Sequence, residues 1–170
     1  MATDSLWYEL RNSVYLKEYA RAEELLATNP ELLTLTNSIG ETVLHFLAVE
    51  NDIEGVAWLH VHGSSLNTET GFGKPMIFEV AELGYKDLLL WLWIKGADFS
   101  VLDQEGHGIY ECLLDGLHLE LLDPGIEDRA KVYWRQREET IRFLTENIAG
   151  ISMNHESQVL LSALSAHVKR

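Results

Sequence analysis

Gly40-Glu41-Thr42-Val43-Leu44-His45 opens a segment that closes with Leu59 and Gly63. Gly73-Lys74-Pro75-Met76-Ile77-Phe78 opens another, which closes with Leu92 and Gly96 at the same offsets, 33 residues on. Trp58 and Trp91 share one position of this period, and Val56 and Leu89 share another. A repeat of this length marks stacked supersecondary units that bury one continuous core between them. Matched large residues at matched positions are what stacking requires, so both tryptophans are expected in core packing.

Each segment reads as a helix pair. Thr42 can cap a short helix to about residue 49, and Asn51-Asp52 breaks it. A second helix over 53–61 stops at Gly63. In the next copy Pro75 suits the first helical turn, Gly84 separates the helices and Gly96 ends the second. Upstream, residues 4–29 predict two more helices. Asp4 or Ser5 would cap the first, whose apolar stripe is Leu6, Leu10 and Val14. Ala22, Leu25 and Leu26 form one face of the second, and Asn29-Pro30 stops it.

Downstream, Gly106 follows Gly73 by another 33 residues, and a helix is expected over 109–114. The period then fails. Ile141, Phe143 and Leu144 repeat the pattern of Val56, Trp58 and Leu59, but about 19 residues late. The added stretch holds the turn signal Asp123-Pro124-Gly125, followed by a long helix over about 127–147. Ser152 or Asn154 would cap a last helix to about residue 167, with Val159, Leu160, Leu164 and Val168 as its apolar face. The expected fold is therefore an all-α solenoid of about four helix pairs in a single domain. Residues 1–36 form an N-terminal cap, 37–69 and 70–102 are repeats, 103–150 is an interrupted repeat, and 151–170 is a C-terminal capping helix.

Composition narrows the function. The 170 residues carry 27 acidic and 13 basic groups, a formal charge of −14, which opposes nucleic-acid phosphates and anionic membranes. The same field favours association with a basic protein. Residues 37–69 hold five acids and 103–128 hold eight, both without Lys or Arg. Residues 129–147 reverse the trend with Arg129, Lys131, Arg135, Arg137 and Arg142 against three acids. Within that helix, Arg135 with Glu139 and Glu138 with Arg142 have i,i+4 spacing. One cysteine, Cys112, precludes an intrachain disulfide and leaves a zinc site dependent on histidines. Met1-Ala2-Thr3-Asp4 lacks the charged and apolar regions of a signal peptide, and the apolar window 88–94 is too short to span a bilayer. These features predict a cytoplasmic protein, monomeric when unbound.

No catalytic or metal-binding constellation emerges. Gly73-Lys74 is followed by Pro75 instead of Ser or Thr, and Thr68 stands where a phosphate loop needs its first glycine. His60 and His62 are two apart on a predicted helix and do not share a face. His107, His118, His155 and His167 show no ligand spacing. Cys112 sits in an apolar run and reads as a small buried residue. Glu23-Glu24, Asp123 with Glu127 and Asp128, and Glu138-Glu139 read as solvated acidic surface. The expectation is a chain with no catalytic residue, no metal and no cofactor.

The repeated segments resemble the ankyrin repeat, which reads roughly D-x-x-G-x-T-P-L-H-x-A before a second helix ending V-x-x-L-L-x-x-G-A-D. One copy supplies Gly40, Thr42, Leu44, His45, Ala48, Val56, Leu59, Gly63 and Asn67. The next supplies Gly73, Pro75, Ile77, Ala81, Gly84, Leu89, Leu92, Gly96, Ala97 and Asp98. The motif histidine is present only as His45; Phe78 and Glu111 hold its later positions. The resemblance implies a structural role for His45 and a binding role for the turn tips and the open side of each first helix. Carried onto this chain, those positions are Ser38, Ile39, Glu41, Val49 and Glu50, then Gly71, Phe72, Lys74, Glu82 and Leu83, then Gln104, Glu105 and His107. Ile39, Val49, Phe72 and Leu83 would form an apolar centre, and Glu41, Glu50, Glu82 and Glu105 an acidic rim. Small acidic ankyrin-like proteins of bacteria can serve as immunity proteins. The resemblance and the charge together imply a non-catalytic module that sequesters or inhibits a basic protein. The alternatives are an adaptor or host-directed effector scaffold, and an enzyme with its chemistry in 115–147.

Overall fold

The computed structural model describes residues 2–115 and 128–168. Within them lie nine α-helices: α1 (Ala2–Tyr15), α2 (Tyr19–Thr28), α3 (Val43–Val49), α4 (Ile53–Val61), α5 (Met76–Glu82), α6 (Lys86–Ile94), α7 (Ile109–Leu114), α8 (Asp128–Asn147) and α9 (His155–Val168). A single 3-10 turn occupies Pro30–Leu33. Among the described residues there are no strands, only isolated bridges at Thr36 with Thr42 and Glu69 with Pro75. The fold class is all-α. The Asp123-Pro124-Gly125 turn falls outside the described residues.

Three turns with one hydrogen-bonding scheme precede α3, α5 and α7. The N–H of Asn37 donates to Glu41 O at 2.9 Å, that of Thr70 to Lys74 O at 2.9 Å, and that of Asp103 to His107 O at 3.0 Å. In each, a glycine donates back to the first residue's carbonyl: Gly40, Gly73 and Gly106, with φ of 88°, 74° and 83°. That left-handed backbone is what selects glycine. The first side chain accepts from the two alternate N–H groups that follow. Asn37 Oδ1 serves Ile39 and Glu41, Thr70 Oγ1 serves Phe72 and Lys74, and Asp103 Oδ1 serves Glu105 and His107. Asn, Thr and Asp are chemically different, but each offers an oxygen at turn distance.

The paired helices turn on a second shared device. Lys17, Asn51 and Gly84 adopt positive φ just past α1, α3 and α5. The next N–H then reaches back to Ser13 O, Leu47 O and Val80 O respectively, closing carbonyls the helix leaves open. Lys17 has a further use there, since its Nζ meets both Asp52 carboxylate oxygens at 2.6 and 2.8 Å and ties the first pair to the second. Asp52 also accepts from Gly55 N–H, capping α4.

The helices α1, α3, α5 and α7 contact one another in series, while α2, α4 and α6 each pack on the helix before them. Leu47, Val56, Leu59, Val80, Leu89, Leu92 and Leu113 are fully buried between them. Both α8 and α9 pack on α7. Ile141 and Leu144 of α8 are buried and Phe143 is half-buried, the same order of exposure as Val56, Leu59 and Trp58 in α4. Tyr19 stacks on Trp58 at 5.3 Å, so this tryptophan sits at the edge of the core and not in its centre.

Two polar side chains fasten α8. Arg137 is 5% exposed and donates Nη1 to the carbonyls of Cys112 and Leu113, both at 2.9 Å, at the end of α7. Gln136 Nε2 donates to Leu83 O at 2.7 Å, at the end of α5. One turn of α8 therefore satisfies carbonyl groups that two short helices leave open.

Two helices differ from expectation, α1 at its start and α9 in its apolar face. The first helix starts at Ala2, so Asp4 and Ser5 lie within its first turn and do not precede it. In α9, Asn154 Oδ1 caps through Ser157 N–H at 2.8 Å, but Val159 points outward and is 56% exposed. Ser157, Leu160, Leu161 and Leu164 form the inner side instead, because Glu111 of α7 accepts from the Ser157 hydroxyl and fixes the rotation.

Candidate functional site

The turns before α3, α5 and α7 stand side by side. Gly71 N–H donates to Ile39 O at 2.9 Å, joining the first two. A Cβ built on Gly40 would lie 2.0 Å from Gly71 N, and one on Gly73 would lie 2.2 Å from Gln104 Cγ. At Gly40 the clash is with backbone, so glycine there permits an approach that any side chain would block, whereas at Gly73 it is with the Gln104 side chain. The result is a row of turn tips held by backbone hydrogen bonds and presenting Ile39, Phe72, Gln104, Glu105 and His107 as exposed side chains.

Between the second and third turns opens a cleft of about 290 Å³. Phe72, Lys74, Glu82, Gln104, Glu105 and His107 all line it, together with Phe78, Cys112, Asp103 and Asp115. Six of the thirteen positions expected to bind a partner thus meet in one depression. Phe72 stands at its lip, 79% exposed. Ile39 and Leu83 are exposed elsewhere on the surface, as is Glu50.

The base of the cleft is an ion-paired knot. Glu82 receives Lys74 Nζ on Oε2, and Arg137 Nη2 on Oε1 at 3.2 Å. The Cys112 thiol also donates to Glu82 Oε1, at 3.6 Å. Arg137 bonds the Tyr133 hydroxyl and lies over that ring at 4.6 Å. Burial alone would lower the Lys74 ammonium, but the Glu82 hydrogen bond and charge outweigh it and hold it above its ordinary value. Burial and the adjacent carboxylate push the Cys112 thiol up to about 12. At neutral pH this sulfur is a protonated donor, the opposite of an activated nucleophile.

Two expected rim or centre residues sit differently. Glu41 is buried, held by Asn37 Nδ2 at 2.8 Å, and presents no open carboxylate. Val49 is half-buried, because α3 rotates it against its neighbours. Exposure at the end of a seven-residue helix depends on its rotation by fractions of a turn, which the sequence pattern alone does not fix.

Glu41 belongs instead to an interior cluster with His45 and Glu79. One ligand atom from each lies within 4.8 Å of the others. His45 is fully buried and its Nε2 meets Glu79 Oε2 at 2.6 Å, while Thr42 Oγ1 accepts from its N–H. The 2.6 Å contact is a hydrogen bond between the two side chains. It ties α3 to α5, a structural use of the imidazole. His60 and His62 are also engaged apart from each other: His62 Nδ1 meets Trp58 O at 2.8 Å, and His60 packs edge-on against Trp91.

Arg137 is the residue that the sequence pattern did not single out. Its signal was weak but present: a basic residue in a helix whose neighbours Trp134, Ile141 and Leu144 mark the inward face at helical spacing. Among the described residues no helix is long and apolar enough to cross a membrane. No protein-family model matches the chain.

Proposed function

We propose that this chain is a non-catalytic scaffold of ankyrin-like repeats that binds and sequesters a basic protein, as small acidic immunity proteins do. The repeat reading is supported by the three turns of identical hydrogen bonding 33 residues apart and by the serial contacts of α1, α3, α5 and α7. The observation that carries the binding reading is Phe72. It stands almost wholly exposed on a turn whose backbone is fixed at both ends, beside the open carboxylate of Glu105. An aromatic side chain so placed loses little entropy on binding and buries a large area. The surrounding −14 charge accelerates encounter with a cationic surface.

The adaptor reading gains support from one feature. Glu41 is buried and Glu82 is neutralised by two cations, so two carboxylates of the expected rim are not open to a partner. A scaffold that relies on Ile39, Phe72 and Leu83 alone would accept a partner of any charge.

The test compares wild-type protein with Phe72→Ser/Leu83→Ser as immobilised bait in extract from the source cells, at low and moderate salt. Sequestration predicts a basic protein retained by the wild type and lost from the double variant. A partner that is neutral or acidic favours the adaptor reading. Equal retention on both baits refutes the surface.

A further inference from the structure

We infer that the cleft beside Phe72 seats one arginine side chain of the partner, with its guanidinium in the outer half between the Phe72 ring and the turn at 103–107. This rests on the reading that the partner is a basic protein. At about 290 Å³ the cleft lies just under the roughly 300–1,000 Å³ of sites that enclose a small molecule, and its size suits a single side chain.

The distribution of charge sets where the cation sits. At the base, Glu82 already serves Lys74 and Arg137, so the floor offers a further cation nothing and Lys74 repels it. At the mouth the balance reverses. The carboxylates of Glu105 and Asp103 stand within reach of His107 but are unpaired by Lys or Arg among the described residues. Asp103 Oδ1 is taken up by the N–H groups of its own turn and its side chain is only 22% exposed, so Glu105, 79% exposed, supplies the open carboxylate. Phe72 supplies the other wall, an exposed ring face that attracts a cation through its quadrupole.

Arginine fits this seat better than lysine. A flat guanidinium stacks on the ring while its edge donates to carboxylate oxygens, whereas an ammonium is a compact, strongly hydrated point charge. The walls are already placed, because each turn is closed by its own backbone bonds and the glycine contacts that join it to the next.

The test is a titration of the isotope-labelled full chain, followed by amide NMR. The probes are N-acetyl-arginine amide, its neutral isostere N-acetyl-citrulline amide, and N-acetyl-glutamate amide. The arginine probe is expected to shift the amides of Phe72, Gln104 and Glu105 with millimolar affinity. Citrulline and glutamate should leave them unmoved. Phe72→Ser or Glu105→Gln, both at exposed positions, should each weaken the arginine response by about two- to fivefold. Equal response to citrulline, shifts induced by glutamate, or an arginine response unchanged in both variants would overturn the assignment. The outcome is separable from that of partner capture. A basic partner that still binds while the cleft ignores arginine refutes the cleft alone. A cleft selective for arginine in a chain that retains no basic protein upholds the seat and refutes sequestration.

Discussion

Replacing Arg137 with methionine should unfasten α8 from the body of the fold. Methionine keeps the length and the apolar stem, so the perturbation is the guanidinium itself. Its loss removes two bonds of 2.9 Å to Cys112 and Leu113 carbonyls, one of 3.2 Å to Glu82 and the bond to the half-exposed Tyr133 hydroxyl. A hydrogen bond to a charged group contributes about 1.5–3 kcal/mol. Two effects reduce the total. Glu82 keeps Lys74, and Arg137 Nε is buried without a partner, a cost the variant no longer bears. The net loss should be about 3 kcal/mol, the lower end for breaking a buried pair. In a chain of this size that lowers Tm by about 6–12 °C. Urea unfolding followed by tryptophan fluorescence and far-UV circular dichroism measures it. Arg137→Lys should recover only part, because one ammonium cannot span two carbonyls and a carboxylate. Arg142→Met, at an exposed position of the same helix, should stay within about 0.5 kcal/mol of wild type. An Arg137→Met protein as stable as the Arg142→Met protein would refute the view that this side chain joins α7, α5 and α8.

Two further outcomes follow from the turns and the cleft. Gly40→Ala should destabilise by about 2–5 kcal/mol, combining the cost of positive φ with displacement of Gly71, which a Cβ would meet at 2.0 Å. Gly106→Ala has a similar φ but open space around the new methyl, so about 1–2 kcal/mol is expected, and equal losses in denaturant melts would argue against close approach of the turns. Cys112, with its thiol pushed up to about 12, should react with a disulfide reagent at pH 8 on the order of a thousandfold slower than an ordinary thiol. Unfolding in urea should restore the ordinary rate, and rapid labelling of the native protein would contradict the buried knot.

The local signals in the sequence carried well into the structure wherever one residue governs its own backbone. Gly40, Gly73 and Gly106 mark turns that need positive φ, and Asn51 and Gly84 mark helix exits that need the same. Thr42 caps α3 through a bond to a residue three positions on, which sequence spacing reveals. What remained hidden depends on residues far apart in the chain. Lys17 meets Asp52 across 35 positions, and Arg137 meets Glu82 across 55. Neither pair has a spacing rule, because helix stacking sets their separation. Helix rotation is the other gap. Val49 and Val159 differ from expectation by a fraction of a turn, enough to exchange solvent for core, and that fraction is set by packing against a neighbouring helix, whereas Glu41, in the turn before α3, is drawn inward by the bond from Asn37 Nδ2. The candidate site was legible as a set of turn positions. Its division into a neutralised floor and an acidic mouth was not, since Arg137 reaches Glu82 only in three dimensions.

The most direct test of the proposed sequestration is the rate of association between this chain and the basic partner, measured as salt is raised from about 50 to about 500 mM. The association rate is expected to fall on the order of tenfold or more, with Phe72→Ser raising the dissociation rate and leaving association nearly unchanged. An association rate indifferent to salt, together with a dissociation rate indifferent to Phe72→Ser, would contradict sequestration.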